Sequence, residues 1–174
     1  MVRQAKSGDS EAFAQLYDAY VERVYRYIYF RVTDEAAAED FTSQVFLKAW
    51  ENLERYKISS SPYIAWLYTI ARNLVIDHYR TKKETVSLDE ILPFASDHQT
   101  PDEEVDVRFS LESMRDSLQS LTDEQQEVLI LKFIADLPNA NIAKIMNKKE
   151  GAIRALQMRA LQTLSKRMEQ KEMI

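Results

Sequence analysis

The chain has 174 residues, enough for one ordinary domain or two small ones, and its 45% apolar content with only 2 Gly and 4 Pro argues for long helices around a packed core. The absence of Cys excludes a disulfide framework, a thiolate zinc site and a Cys nucleophile, and two His residues, His78 and His98, are too few for a His-rich metal site. Net charge is −5, the opening MVRQAKSGDSEAF has no apolar run like a signal peptide, and no stretch approaches the ~18 apolar residues of a membrane span, so the expectation is a soluble, cytoplasmic helical protein without membrane insertion.

In chain order, Asp9-Ser10 caps a first helix over about 11–31, with Phe13, Leu16, Tyr17, Tyr20, Val24, Tyr27 and Ile28 at helical spacing. Thr33-Asp34 caps a second helix over about 35–54, whose apolar side carries Phe41, Val45, Ala49, Trp50 and Leu53. A loop over 55–61 follows. Ser61-Pro62 then reads as an N-cap with Pro at the first helical position. The third helix continues to about Lys83 through Ile64, Leu67, Ile70, Ala71, Leu74 and Val75. These three helices make one domain, residues 1–83.

Residues 84–108 lose the period and contain Pro93, Pro101 and Asp102-Glu103-Glu104, which predicts a linker with a short helical turn around 88–92. A second helical domain, 109–174, starts near Phe109. Thr122-Asp123-Glu124-Gln125 is a capping box opening a helix over 123–135. Residues 139–164 then fit a helix-turn-helix. Ile142, Met146, Ile153 and Leu156 fall where the two helices bury apolar side chains against each other, and Ala143 sits where they cross closely. Asn147 stands at the turn, where the backbone needs φ > 0 and Asn tolerates it. The fold class expected is all-α: two small helical domains joined by an acidic linker, the second with a helix-turn-helix.

The charge is unevenly spread. Residues 1–83 carry 12 Lys+Arg against 11 Asp+Glu, 84–115 carry 2 against 9, and 116–174 carry 9 against 8. Within 129–168 there are 8 basic residues against Asp136 and Glu150 alone. A local basic field of this kind suits phosphate binding whatever the net charge. The second helix of the motif, about 149–167, turns Ile153, Leu156, Ala160 and Leu164 inward and offers Lys149, Arg154, Gln157, Met158 and Arg159 on its other side. Arg and Gln can read base edges, and Lys148 and Lys149 can hold phosphates. The plain alternative is a solvated basic helix face. The third helix interleaves Tyr63, Trp66, Tyr68 and Tyr79 with Arg72, Arg80, Lys82 and Lys83, the combination of flat side chains and cations that unpaired DNA requires. Trp66 and Tyr68 read equally well as core.

Taken together, these segments resemble the RNA polymerase sigma factors, in particular the extracytoplasmic-function (ECF) group of the sigma-70 family. Residues 38–50, AEDFTSQVFLKAW, are similar to that family's polymerase-clamp-binding helix. Residues 63–80 look like its promoter-melting helix, and 121–164 like its minus-thirty-five domain. The resemblance implies that Asp40, Ser43, Gln44, Leu47 and Lys48 face the clamp coiled coil of the largest polymerase subunit. The helical period agrees, since Asp40, Gln44, Leu47 and Lys48 share a face that avoids Phe41, Val45 and Ala49. It further implies that Tyr56, Lys57, Ser60 and Ser61 belong to a loop capturing a flipped minus-ten base, with Asn73 lining that pocket and Trp66, Arg72, Arg80, Lys82 and Lys83 also on minus-ten DNA. Arg154, Ala155, Met158 and Arg159, with Lys148 and Lys149 beside them, fall on the minus-thirty-five element.

The family usually has Glu at Asn141, Gly at Asn147, Ser at Lys149 and often Arg at Leu156. Lys cannot cap a helix N-terminus, which costs about 1 kcal/mol at that end. The partners implied are core RNA polymerase (clamp coiled coil and flap region), promoter DNA and an anti-sigma factor, and the linker is expected to thread through the polymerase. No cofactor is expected. No P-loop, metal-ligand cluster or nucleophile–base pair stands out, so the chain reads as a non-enzyme. The competing reading is a free-standing helix-turn-helix regulator of duplex DNA. A helical adaptor with merely solvated basic faces is a third. Only about ten residues follow the last helical pattern, so regulation is expected to come from outside the chain.

Overall fold

Capping side chains decide where the helices begin. The computed structural model describes residues 1–85 and 102–173, without the side chains of 83–85 and 102–106. The expected turn at 88–92, the middle of the acidic linker and the Lys83 side chain therefore lie outside the described residues. Helix α1 is Val2–Lys6 and α2 is Ser10–Arg31. The Asp9 carboxylate accepts from the Glu11 and Ala12 N–H groups, at 3.0 and 3.1 Å, and so satisfies two of the orphan donors of α2. Asp34 does the same for α3, Glu35–Glu51, by accepting from Ala36 N–H at 3.1 Å. Helix α3 stops three residues short of the sequence expectation. The Asn52 amide folds back on the Lys48 carbonyl at 2.9 Å, and a tight 3-10 turn, Leu53–Arg55, follows. Helix α4 is Tyr63–Thr85. The Pro62 carbonyl accepts from Trp66 N–H, which puts Pro62 one position before the helix rather than inside it.

The first domain closes around Val24, Tyr27 and Ile28 of α2, Ala38, Val45 and Ala49 of α3, and Leu67, Tyr68, Ala71 and Val75 of α4, all fully buried. Tyr68 is thus core. Helix α1 was not legible in the sequence: five residues do not form a stable helix in isolation, and this one is held by tertiary contacts, burying Ala5 and donating from Lys6 Nζ to the Tyr56 carbonyl.

Helix α5, Asp102–Gln119, begins inside the stretch read as linker. The helical period was hard to see because α5 buries Arg115 and Leu118 while leaving Val107, Phe109, Leu111 and Met114 exposed. Helix α6, Asp123–Leu129, opens with the expected capping box, Thr122 and Gln125 exchanging side chain to backbone bonds at 3.3 Å. Thr122→Ala is expected to cost about 1 kcal/mol, read as a lowered melting temperature of the full chain; an unchanged midpoint would show that the box contributes nothing.

The α-helix expected over 123–135 breaks at its middle. Ile130–Ile134 forms a π turn, with Ala135 N–H reaching the Ile130 carbonyl five residues back at 2.9 Å, and Asp136 follows with φ 56°. The helix-turn-helix is as read: α7 is Asn139–Met146, Asn147 is left-handed at φ 54°, ψ 49°, and α8 is Glu150–Glu172. Ile142, Ala143, Met146, Ile153 and Leu156 are all buried. Lys149 makes no capping bond, as its chemistry requires. No strand occurs among the described residues.

The two halves pack directly on each other. The last carbonyls of α2, which have no helical partner, are taken by side chains from elsewhere. Arg115 donates to Val32 O while lying over the Tyr29 ring at 4.2 Å, Gln119 donates to Phe30 O at 3.4 Å, and the Tyr79 hydroxyl donates to Arg31 O. Arg31 is itself buried and donates to Gln126 Oε1 at 3.1 Å.

Candidate functional site

Three separate surfaces hold the residues singled out from sequence. On α3, Asp40, Ser43, Leu47 and Lys48 are exposed, and Gln44, half-buried, donates to Asp40 Oδ2 at 2.7 Å. They share one solvent face. Leu47 is 58% exposed, and Trp50, assigned from sequence to the apolar side, is 42% exposed beside it. Trp50 sits edge-on against Phe13, with ring centroids 4.8 Å apart, and Tyr17 of α2 is 39% exposed against Phe46. The polar face thus borders an apolar ridge that helical periodicity alone had turned inward.

The second surface is the loop 56–61 with α4. A cavity of about 560 Å³ opens between Ile58, Ser59, Ser60, Pro62 and Tyr63. Lys57 and Ser60 are exposed and Ser61 half-buried. Tyr56 is not on the surface: it is 4% exposed, its hydroxyl donates to Ser61 O at 2.6 Å, and its ring lies 5.1 Å from Trp66 and 5.6 Å from Tyr63. Tyr56 therefore braces the loop while also lining the cavity. Burial, then the neighbouring Tyr20 and Tyr56, push the Tyr63 phenol up to about 12, so this wall carries no charge. Along α4, Asn73 and Arg80 are exposed, Trp66 and Lys82 are half-buried, and Arg72 turns toward the second domain, where it pairs with Glu127.

The third surface is the outer side of α8. Lys149, Arg154, Ala155, Met158 and Arg159 are all exposed on it. Lys148, half-buried, pairs with the exposed Glu124 at 3.1 Å, a surface pair of the kind worth roughly 0–1 kcal/mol. Gln157 is not available to read bases here: it is half-buried and donates to Asn139 at 2.8 Å. A further feature had no signal in the sequence. Phe109, Met114, Leu118, Phe133, Leu161 and Met168 line an apolar groove of about 540 Å³ between α5, the π turn and α8. The π turn places Phe133 outward, 61% exposed.

The family profile for sigma-70 region 2 matches residues 16–85, and that for sigma-70 region 4 matches 111–164. The ECF RNA polymerase sigma factor SigK of Mycolicibacterium vanbaalenii is 33% identical over 168 residues, covering 90% of this chain and 85% of that protein. This chain belongs to the ECF RNA polymerase sigma factors. BldN of Streptomyces coelicolor, another member of that group, is 39% identical over 168 residues; the match covers 95% of this chain and 64% of BldN's own length. SigW of Bacillus subtilis is 28% identical, covering 96% of this chain and 94% of SigW. Among solved structures, CnrH in complex with the cytosolic domain of CnrY has the same fold, with a TM-score of 0.76 at 22% identity over 97% of this chain and 94% of that one. The sigma factor RpoE from Bartonella quintana, in complex with the anti-sigma factor NepR, gives 0.72 at 19% identity over 91% and 98%. Within the ECF framework, the first two surfaces lie in region 2 and the α8 face in region 4. No helix among the described residues is long and apolar enough to cross a membrane.

Proposed function

We propose that this ECF sigma factor binds core RNA polymerase and directs promoter recognition and melting, with no catalytic step of its own. The observation that carries the reading is that one chain presents an exposed polar-plus-Leu47 face on α3, a preformed loop cavity beside α4, and a basic helix-turn-helix face on α8. A free-standing regulator of duplex DNA needs only the last. In this reading Asp40, Ser43, Gln44, Leu47 and Lys48 meet the clamp coiled coil in the cytoplasm. Lys57, Ser60 and Ser61 form the rim of a pocket for a flipped minus-ten base, and Trp66, Asn73, Arg80, Lys82 and Lys83 engage minus-ten DNA along α4. Flipping costs a few kcal/mol of stacking, which a preformed pocket can return. Lys148, Lys149, Arg154, Ala155, Met158 and Arg159 engage the minus-thirty-five element. The apolar groove suits an amphipathic helix, either from the polymerase flap region or from an anti-sigma factor. Residues 1–83 act as the polymerase and minus-ten unit, and the minus-thirty-five unit includes α5.

Reconstitution tests the proposal. Added to bacterial core enzyme, the protein should form a stable complex and start transcription at new sites in a genomic fragment library. Failure to bind core together with direct binding of a duplex palindrome would transfer the assignment to a free-standing regulator. Within the holoenzyme, Arg154→Ala is expected to weaken minus-thirty-five binding by about 1–3 kcal/mol if the guanidinium reads a base; unchanged promoter affinity would remove it from the interface.

A further inference from the structure

Glu127 is a carboxylate in the middle of the protein. Its side chain is 3% exposed, and its partners come from the other domain. The Tyr27 hydroxyl of α2 donates to Oε1 at 3.0 Å, and Arg72 Nε of α4 lies 2.9 Å from Oε1 and 3.0 Å from Oε2. Burial and the neighbouring carboxylate hold the Tyr27 phenol well above its ordinary value, so it stays a donor. At the rim of the loop cavity, Lys144 of α7 donates to the Ser60 carbonyl at 3.2 Å.

We infer that the second domain clasps the first through Glu127, which occupies the Arg72 guanidinium in place of a DNA phosphate, so that the free chain is closed and must release this pair to engage minus-ten DNA. The DNA half of this statement rests on the proposed function; the clasp itself does not. A carboxylate taking a forked cation is chemically the same transaction as a phosphate taking it. A buried ion pair is also suited to a reversible clasp. Its Coulombic gain is largely offset by desolvation of both charges, so opening into water, where each charge is solvated again, costs little. Removing one partner alone is different, because the other charge is then buried without compensation. The closed arrangement leaves Asp40, Leu47 and Lys48 exposed. Polymerase can therefore reach the closed chain, whereas the Arg72 guanidinium is released from Glu127 only on opening.

The chain has no Cys, so spin labels can be introduced at exposed Asp18 and Gln162 and the interdomain distance measured in the free protein. Wild type should give one narrow distance. Glu127→Gln and Arg72→Gln should each raise the long-distance population roughly tenfold or more, since each strands one charge. The double variant should open no further than the more open single, because the two residues share one interaction. Retained helical circular dichroism identifies folded samples, and if Glu127→Gln unfolds the second domain, Arg72→Gln probes the same pair from the first. A broad distribution in wild type, or unchanged distances in both single variants, overturns the clasp. Glu127→Gln should also bind a fluorescent random-sequence single-stranded DNA several-fold more tightly than wild type. Opening without that gain overturns the competition with DNA. If neither protein binds the oligonucleotide, it is the minus-ten assignment that fails, and the distance data still decide the clasp.

Discussion

Leu47→Asp is expected to weaken binding to core polymerase by at least about 30-fold, the equivalent of roughly 2 kcal/mol for a buried interface anchor, with no change in folding. The side chain is 58% exposed, so the free protein gains nothing from its burial. Solvent-face substitutions of this kind usually stay within about 0.5 kcal/mol of wild-type stability. The apolar ridge continues into Trp50 and Tyr17, also exposed, while Asp40, Gln44 and Lys48 form a polar border. This composition fits the proposed polymerase contact, with an apolar centre and a polar rim. A carboxylate at the centre would have to be desolvated without a partner, which is why Asp is the informative substitution. Competition of labelled and unlabelled protein for core enzyme measures the effect, with melting temperature as the control. Trp50→Ala should lose affinity by the same route, after allowance for its contact with Phe13. Core affinity equal to wild type in both variants would place the polymerase contact elsewhere.

What the sequence made legible was local. Asp9, Asp34 and Thr122 announce their helices because capping is a short-range transaction between a side chain and N–H groups two or three residues on. Asn147 marks the turn because few residues accept its left-handed backbone. Buried Ile142, Met146, Ile153 and Leu156 were visible through spacing. The features that escaped depend on partners far away in the chain. Trp50 falls on the apolar arc of α3, yet the first domain is already filled by Val45 and Ala49, so the larger ring is left half outside. Helix α5 lacks a clean apolar stripe because part of what it buries is Arg115, whose donors satisfy the end of α2. The π turn at 130–134 has the composition of an ordinary apolar helix, and the extra residue in its turn shows only in the backbone. The apolar groove joins α5, the π turn and α8, so no single segment carries its pattern. Arg72 was read as a DNA-facing cation, and nothing near it in sequence pointed to Glu127 across the domain boundary.

The second large effect is expected at Tyr56, where the assigned position and the observed one differ. The ring is buried between Trp66 and Tyr63, and the hydroxyl ties Ser61 O to the start of the loop, with Lys6 holding the Tyr56 carbonyl from α1. In the proposed function Tyr56, which also lines the cavity, acts on promoter melting by fixing the loop's shape. Tyr56→Ala removes the ring and should destabilise the first domain by about 3–5 kcal/mol, the usual cost of truncating a buried aromatic residue. Tyr56→Phe keeps the packing and loses only the bond to Ser61, a cost of about 0.5–1.5 kcal/mol. With a fluorescent base analogue at the flipped minus-ten position, Tyr56→Phe holoenzyme should open the promoter several-fold more slowly and discriminate less among bases there. Its core affinity should match wild type, because α3 is untouched. Tyr56→Ala should lose opening altogether, through loop collapse or through unfolding. Since only the Phe variant separates these routes, it carries the prediction: a wild-type opening rate and base preference in Tyr56→Phe would mean that the hydroxyl does not shape the pocket and that stacking against Trp66 and Tyr63 alone holds the loop.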